Sequence, residues 1–250
     1  MRMLCLFLLC AASAPAWGPT GHRVVAILAE ERLDPALVAR IRVILGGDSL
    51  ADVSTWADEA RNLPNWRHSG PWHYVNIGDG ETYKSSRKEK RGDVLRAIER
   101  FQKDLTKRSG SLQKQRDALR FLIHFVADLH QPLHVGRAED RGGNLIEVDW
   151  FGRRSNLHRV WDSDIIAQQR ISFTRWAASL PRPTPEQAAL WAKSKPLDWA
   201  VESQRLRPAV YRIRDGKLGQ PYYADSLPIV RERLTQASVR LAALLEQSLR

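Results

Sequence analysis

The sequence contains only two cysteines, Cys5 and Cys10, and both lie within its first ten residues. They belong to the stretch MRMLCLFLLCAASAPA, which has one positive charge, then an apolar run, then small residues up to Ala16. This layout predicts a secretory signal peptide over residues 1–16 that is cleaved after Ala16. The remaining chain, residues 17–250, then has no thiol, which excludes disulfide bonds, thiolate metal ligands and a cysteine nucleophile.

Long apolar runs are also missing after the leader. The run inside the leader, about ten residues, is shorter than the roughly 20 residues that a helix needs to cross a bilayer. We therefore expect a monomer without a membrane anchor, released to the periplasm or secreted to the medium. Fixed-period repeats, linkers and low-complexity tracts are missing too, so residues 17–250 are expected to form one domain around one core.

Acidic residues are outnumbered, with 28 Asp and Glu against 39 Lys and Arg and a net charge of +11. Loss of the leader, whose only charge is that of Arg2, leaves +10. Such a charge favours polyanionic partners such as nucleic acids, although a cationic surface kept only for solubility is the alternative. The run KSSRKEKR at residues 84–91 has the same two interpretations, a solvated surface or a track for phosphates.

Helical periodicity dominates what is present. Apolar residues recur three and four apart in residues 22–45, with a break at Asp34-Pro35, and also in 93–107, 114–131, 186–213 and 225–249. Only residues 142–152, GGNLIEVDWFG, alternate in the manner of strands and predict a short β-hairpin. Residues 78–92 are polar and indicate a loop. The predicted fold class is all-α, a mainly helical single domain with one short hairpin.

Two pairs of histidine and aspartate share a spacing of four residues. His124 and Asp128 lie on one predicted helix, and His158 and Asp162 repeat the spacing in NLHRVWD. Residues four apart leave the same face of a helix, one turn from each other. A lone histidine on an apolar helix is more often a core residue than a ligand, but two such pairs are hard to obtain by chance.

Further potential ligands bring the set to five imidazoles and three carboxylates. His134 follows the helix stop at Pro132, and His22, Asp58 and His73 lie in three earlier motifs. Imidazole and carboxylate donors without thiolate suit zinc, whereas magnesium and calcium prefer oxygen alone. Because the set exceeds the four ligands of one tetrahedral site, we predict a cluster of several ions.

Cleavage after Ala16 would place Trp17 at the new terminus. A free α-amine has a pKa of about 7.7–8.0, so a metal ion readily displaces its proton. The amine nitrogen and the carbonyl oxygen of Trp17 can close a five-membered chelate on one ion. We predict that this terminus is itself a metal ligand, with His22 one short loop away.

Six motifs in order, WGPTGH, WADEAR, WHYVN, HFVADLHQPLH, GGN and NLHRVWD, resemble those of the S1/P1 family of zinc-dependent, single-strand-specific nucleases, which shares its fold with zinc phospholipase C. The resemblance implies three zinc ions. It assigns the first ion to Asp58, His73, His124 and Asp128, the second to His134, His158 and Asp162, and the third to Trp17 and His22 with Asp128 as a bridge.

The resemblance also implies a reaction. Paired ions lower the pKa of a shared water and supply hydroxide to attack phosphorus in single-stranded RNA and DNA. The implied products end in 5′-phosphate, with 3′-nucleotidase activity on nucleotides as a companion. Asp58, Arg61 and Asp128 would be the catalytic residues, with the guanidinium of Arg61 on the phosphate.

Two substrate contacts follow from the same resemblance. Tyr74 stands where the family places an aromatic that stacks on a base, and Asn76 stands at the position that hydrogen-bonds the base edge. Asn76 is often an aspartate in relatives, which leaves base preference open. The family's disulfides are absent here, so metal is expected to provide more of the stability.

Three other interpretations compete with a nuclease. The zinc phospholipase C branch is disfavoured by the short gap from Trp17 to His22 and by Asp162, where that branch has glutamate. Residues 47–50 spell the GDSL signature of serine hydrolases, but the preceding residues read as helix, so a helix cap at Ser49 explains them better. The third is a non-catalytic protein that binds nucleic acid or stores zinc.

Three polar residues near the motifs have no catalytic assignment. His130 is expected to make hydrogen bonds in the core or to support a ligand, and His68 to be solvated in a loop. Asn144 either contacts the substrate or turns the hairpin.

Overall fold

A computed structural model describes residues 17–107 and 110–249, and the predicted signal peptide lies outside these residues. The described chain is mainly helical, which confirms the predicted fold class. Its α-helices are α1 (Pro19–Glu30), α2 (Pro35–Leu45), α3 (Leu50–Val53), α4 (Trp56–Ala60), α5 (Val94–Thr106), α6 (Leu112–Leu129), α7 (Leu157–Arg159), α8 (Ile165–Ala167), α9 (Phe173–Ser179), α10 (Pro185–Lys193), α11 (Pro196–Val210) and α12 (Gln220–Leu249). Two 3₁₀ helices, Pro64–His73 and Pro132–His134, and one π-helical turn, Val160–Asp164, complete the helical set.

Local capping explains most of the helix boundaries. Asp34 caps α2 by accepting a hydrogen bond from the Ala36 amide at 2.8 Å, so the predicted break at Asp34-Pro35 is confirmed. Gly46 ends α2 with a left-handed φ of 81°. The helix predicted over 186–213 is instead two helices, α10 and α11, because Pro196 starts a new helix in its first turn.

The hairpin lies later than predicted. Strands β3 (Glu147–Trp150) and β4 (Arg153–Asn156) pair antiparallel around a turn at Phe151 and Gly152, both with positive φ. Of the glycines in the predicted 142–152 segment, Gly142 and Gly143 lie before β3 in a separate turn, and only Gly152 lies in the hairpin turn. Strand β3 also pairs in parallel with β5 (Lys217–Leu218).

A second, smaller sheet joins two segments that carry predicted ligands. Strands β1 (Val75–Asn76) and β2 (Val135–Gly136) pair in parallel, with Val75 opposite Val135. Strand β1 begins two residues after His73, and β2 begins directly after His134. The pairing therefore brings these two histidines together from distant parts of the sequence.

Helix α6 runs through the core. Every residue from Phe121 to Leu129 is buried, including the polar His124 and Asp128. Helices α1, α5 and α12 pack against α6, and Phe101 of α5 stacks on Phe121 at 4.7 Å between ring centroids. Among the described residues, no helix has the length and apolarity required to span a bilayer.

Candidate metal centre

The first group of potential ligands joins three elements at the buried end of α6. The Nε2 atom of His124 lies 3.3 Å from an oxygen of Asp128 and 3.7 Å from Oδ1 of Asp58, which comes from α4. His73, at the end of its 3₁₀ helix, places Nδ1 3.0 Å from Oδ2 of Asp128 and 3.8 Å from Oδ1 of Asp58. Two imidazoles and two carboxylates thus converge on one point, as one ion requires.

A second group forms where the 3₁₀ helix Pro132–His134 meets α7. Nε2 of His158 lies 3.1 Å from Oδ2 of Asp162, and Nε2 of His134 lies 3.9 Å from Oδ1 of the same carboxylate. All three residues are buried. This arrangement offers two nitrogens and a carboxylate to a second ion.

Asp128 also faces a third group, through its other oxygen. Nε2 of His22 lies 3.4 Å from Oδ1 of Asp128, whereas His73 and His124 approach Oδ2. The rings of His22 and His124 stack with 3.9 Å between centroids. The carboxylate of Asp128 therefore lies between His22 on one side and His73 and His124 on the other. This is the geometry of a bridge between two ions.

Trp17 anchors the start of the described chain beside these groups. Its side chain is fully buried in the core, and the Gly18 amide donates to the Asp162 carbonyl at 2.7 Å. A Cβ atom on Gly18 would lie 2.3 Å from Oγ of Ser163, so the segment is held closely against the turn that carries Asp162. A terminal amine on Trp17 exists only after cleavage, and its role as a ligand stays a prediction.

Backbone carbonyls orient three of the five imidazoles. Nδ1 of His124 is 2.7 Å from the Ser54 carbonyl, Nδ1 of His134 is 2.6 Å from the His73 carbonyl, and Nδ1 of His158 is 2.7 Å from that of Gly142. A carbonyl oxygen can only accept, so each Nδ1 must be the protonated nitrogen. Each Nε2 then presents a lone pair to the cluster, which is the arrangement of histidines that bind metal.

Several buried atoms at the centre have no hydrogen-bond partner among the described residues. Since an unpaired buried polar atom costs roughly 1–3 kcal/mol, such a concentration calls for a cation that the donors can share. These atoms are Nε2 of His22, His124 and His134, Oδ1 of Asp128 and Oδ2 of Asp162. The donor set fits zinc, which accepts imidazole and carboxylate together.

Burial also sets the protonation of the ligands. It lowers the pKa of His22, His73 and His134 well below the usual value, so these imidazoles are neutral, as ligands must be. It raises the pKa of Asp128 well above that of an exposed aspartate, and the nearby Asp58 adds to the effect. A bound cation would favour the ionised carboxylate again.

Residues assigned to phosphate and base lie at the edge of the centre. Arg61 donates to Oδ1 of Asp58 at 2.7 Å, so its guanidinium lies next to the first group. Tyr74, which follows His73 in the sequence and is 38 % exposed, and Asn76 line a cavity of about 720 Å³. Asn144 donates to the Arg141 carbonyl at 2.9 Å in the turn before β3 and not in the hairpin turn itself.

The residues without a catalytic assignment serve the structure. His130 lies in the core, with Nδ1 2.7 Å from the Val126 carbonyl and Nε2 2.9 Å from Arg240. His68 is exposed as expected, although it lies in a 3₁₀ helix and not in a loop. Ser49 caps α3 in a capping box with Asp52, so its hydroxyl is no hydrolase nucleophile.

Gln131 was missed at the level of sequence. It is fully buried, and its side-chain amide donates to Oδ1 of Asp162 at 2.5 Å while its carbonyl oxygen accepts from the Leu133 amide. Gln131 therefore orients one carboxylate of the second group. In the sequence, Gln131 lies between the predicted ligands Asp128 and His134 and directly before Pro132. This position is the signal that could have identified it.

Comparisons with known proteins identify the family to which the chain is similar. The family model described as S1/P1 Nuclease matches residues 17–250. Endonuclease 2 of Arabidopsis thaliana is 33 % identical, over 99 % of this chain and 96 % of the relative. Nuclease S1 of Aspergillus oryzae is 28 % identical, and the match covers 92 % of this chain and 91 % of the relative. Nuclease P1 of Penicillium citrinum is 29 % identical, and the match covers 90 % of this chain and 95 % of the relative.

Proposed function

Because this chain belongs to the S1/P1 nuclease family, we propose that it is an exported, monomeric, zinc-dependent endonuclease that hydrolyses single-stranded RNA and DNA. Its products end in 5′-phosphate, and it also removes phosphate from 3′-nucleotides. The family match favours this function over a phospholipase C-like activity and over a protein that only binds nucleic acid or zinc.

One observation carries the proposal: the carboxylate of Asp128 lies between the buried imidazole of His22 and those of His73 and His124. Its Oδ1 faces His22 and its Oδ2 faces His73 and His124. A structural site is closed around one ion, whereas adjacent sites joined by a bridging carboxylate are typical of phosphodiester hydrolysis. When bound, zinc supplies a Lewis acid and lowers the pKa of water at the phosphodiester.

The chain's own residues position the substrate. Arg61, held by Asp58 beside the first group of ligands, directs its guanidinium to a phosphate oxygen. Tyr74 presents an accessible ring next to His73, and Asn76 offers an amide to a base edge from the same cavity. A ring can stack only on a base that is exposed, and this favours single strands over a duplex.

The direct test compares denatured with native DNA as substrates of the exported enzyme, together with elemental analysis for zinc. We expect rapid cleavage of the denatured DNA, slow cleavage of the native DNA, and loss of activity with a chelator. Asp128→Asn should abolish turnover and lower the zinc content, because Asp128 contributes to two sites.

Asp117→Asn is the matched control, since Asp117 lies on the same helix and hydrogen-bonds Gln113 near its start. This variant should retain both zinc and activity. Full activity of Asp128→Asn would refute the bridge, and equal cleavage of native and denatured DNA would refute the preference for single strands.

A further inference from the structure

The cavity beside Tyr74 extends beyond the positions assigned to a base. Tyr74 and β1 line one part of it, and residues 87–90 line another. The cavity has a volume of about 720 Å³. The polar segment 78–92, predicted as a loop, therefore forms part of the substrate side of the molecule.

Hydrogen bonds give this segment a defined conformation. The Gly78 amide donates to Oε2 of Glu81 at 2.8 Å, and the Ser86 amide donates to the Thr82 carbonyl at 2.9 Å. Gln204 of α11 donates to the Glu81 carbonyl at 2.9 Å, which ties the segment to a helix. These hydrogen bonds hold the backbone up to Ser86, directly before the residues 87–90 that line the cavity.

Lys88 has a structural role within the segment. Its ammonium donates to the carbonyls of Tyr83 and Ser86 and lies 4.2 Å from the centroid of the Tyr83 ring. These contacts close the turn of residues 83–88. The contacts of Lys88 therefore lie within the segment itself, and its role differs from those of Arg87 and Lys90.

Most acidic residues that line the cavity are already paired. Asp79 pairs with Arg207 and Arg137 at 2.9 and 2.6 Å, and Asp93 caps α5. Glu89 pairs with Arg91 at 3.6 Å.

Arg87 and Lys90, in contrast, have no hydrogen-bond or ion-pair partner within residues 17–107 and 110–249. Both are exposed and both line the cavity. Their positive charge is therefore available to an anion that enters beside Tyr74.

We propose that Arg87 and Lys90 form a subsite for the backbone phosphates of a nucleic-acid strand, one or two nucleotides away from the base that stacks on Tyr74. A guanidinium and an ammonium at the edge of an aromatic cavity match the alternation of phosphate and base along a single strand. This inference rests on the proposed function, and it makes the enzyme select for strand length.

The test uses the exported, zinc-loaded enzyme with the double variant R87A/K90A. The substrates are a single-stranded oligothymidylate of about a dozen residues and a dinucleotide whose single phosphate is the scissile one. We expect the KM for the oligomer to rise roughly three- to tenfold at low salt with kcat unchanged, and the KM for the dinucleotide to stay the same. The slope of log KM against log salt should fall by about 1.4, or about 0.7 for each lost phosphate contact.

R175A/K193A is the matched control, because it removes the same two residue types from exposed positions on α9 and α10 that do not line the cavity. It should leave both KM values unchanged. An equal rise in KM from both double variants would assign the effect to net charge and overturn the subsite, as would an unchanged KM for the oligomer in R87A/K90A. If the wild-type enzyme cleaves neither substrate, the proposed function fails instead.

Discussion

At the scale of single residues, the candidate metal centre depends both on the ligands and on the groups that orient those ligands. The backbone carbonyls of Ser54, His73 and Gly142 select one tautomer of three histidines. Gly142 also needs a positive φ of 62°, and a Cβ atom there would lie 2.4 Å from the Leu133 carbonyl oxygen. The turn that orients His158 therefore requires glycine.

Gln131→Met tests the residue that orients Asp162. Methionine keeps the length of the side chain but removes the donor to Asp162, so the carboxylate loses its orientation. We expect the affinity for the most weakly held zinc to fall about 10- to 100-fold in competition with a chromophoric chelator.

Gln113→Met is the control, since Gln113 lies exposed near the start of α6. This variant should leave the zinc affinity unchanged. Unaltered zinc affinity in Gln131→Met would show that Asp162 is positioned without Gln131.

At the scale of elements, a buried arginine of α11 donates hydrogen bonds to the backbone of the two segments that form β1 and β2. Arg207, 2 % exposed, donates to the carbonyls of Ile77 at 2.5 Å, Val135 at 3.2 Å and Gly78 at 3.3 Å, and pairs with Asp79. The two segments that it joins carry His73 and His134. The small sheet thus depends on a side chain that comes from 72 residues beyond Val135.

Arg207→Lys should weaken this link. An ammonium cannot reproduce the fork of a guanidinium, so at least one buried carbonyl would lose its donor. We expect the free energy of unfolding, measured by urea titration of the zinc-loaded protein, to fall by about 1–3 kcal/mol.

Arg205→Lys, on the exposed side of the same helix, should be neutral in that titration. Equal stability of the two variants would mean that the strand pairing alone joins β1 to β2. An equal fall in the free energy of unfolding of both variants would assign the effect to helix α11 and not to the hydrogen bonds between Arg207 and the small sheet.

At the scale of the whole molecule, the predicted export is coupled to the centre through Trp17. The buried indole and the hydrogen bond from Gly18 to Asp162 place this segment at the third group, next to His22. A peptide nitrogen has no basic lone pair for a metal, whereas a terminal amine has one. Processing after Ala16 would therefore complete the centre.

A protein with extra residues retained before Trp17 should bind about two zinc ions per chain instead of three. Mass spectrometry of the exported protein checks its terminus, and elemental analysis counts the ions. The same extra residues placed after Arg250 should leave three. Three tightly held ions in the protein with the retained N-terminal residues would remove the case for a terminal ligand.

Local pattern predicted most of the long helices, because apolar periodicity and caps act within a few residues. The break at Asp34-Pro35 and the predicted helices near α5 and α6 agree with the structure. The continuous helix predicted over 186–213 was wrong, because α10 ends at Lys193 and Pro196 begins a new helix, α11. The strands β1, β2 and β5 were missed, since two-residue strands have no periodicity to detect.

The sequence by itself determined the helical class, the absence of thiols and the shared face of His124 and Asp128, since each depends on composition or on spacing within one turn. Only the tertiary structure decided that the two oxygens of Asp128 face different imidazoles, that Gln131 holds Asp162, and that Arg87 and Lys90 line the cavity of Tyr74. These relations join residues far apart in the chain. They follow from how distant segments pack together, which no local spacing encodes.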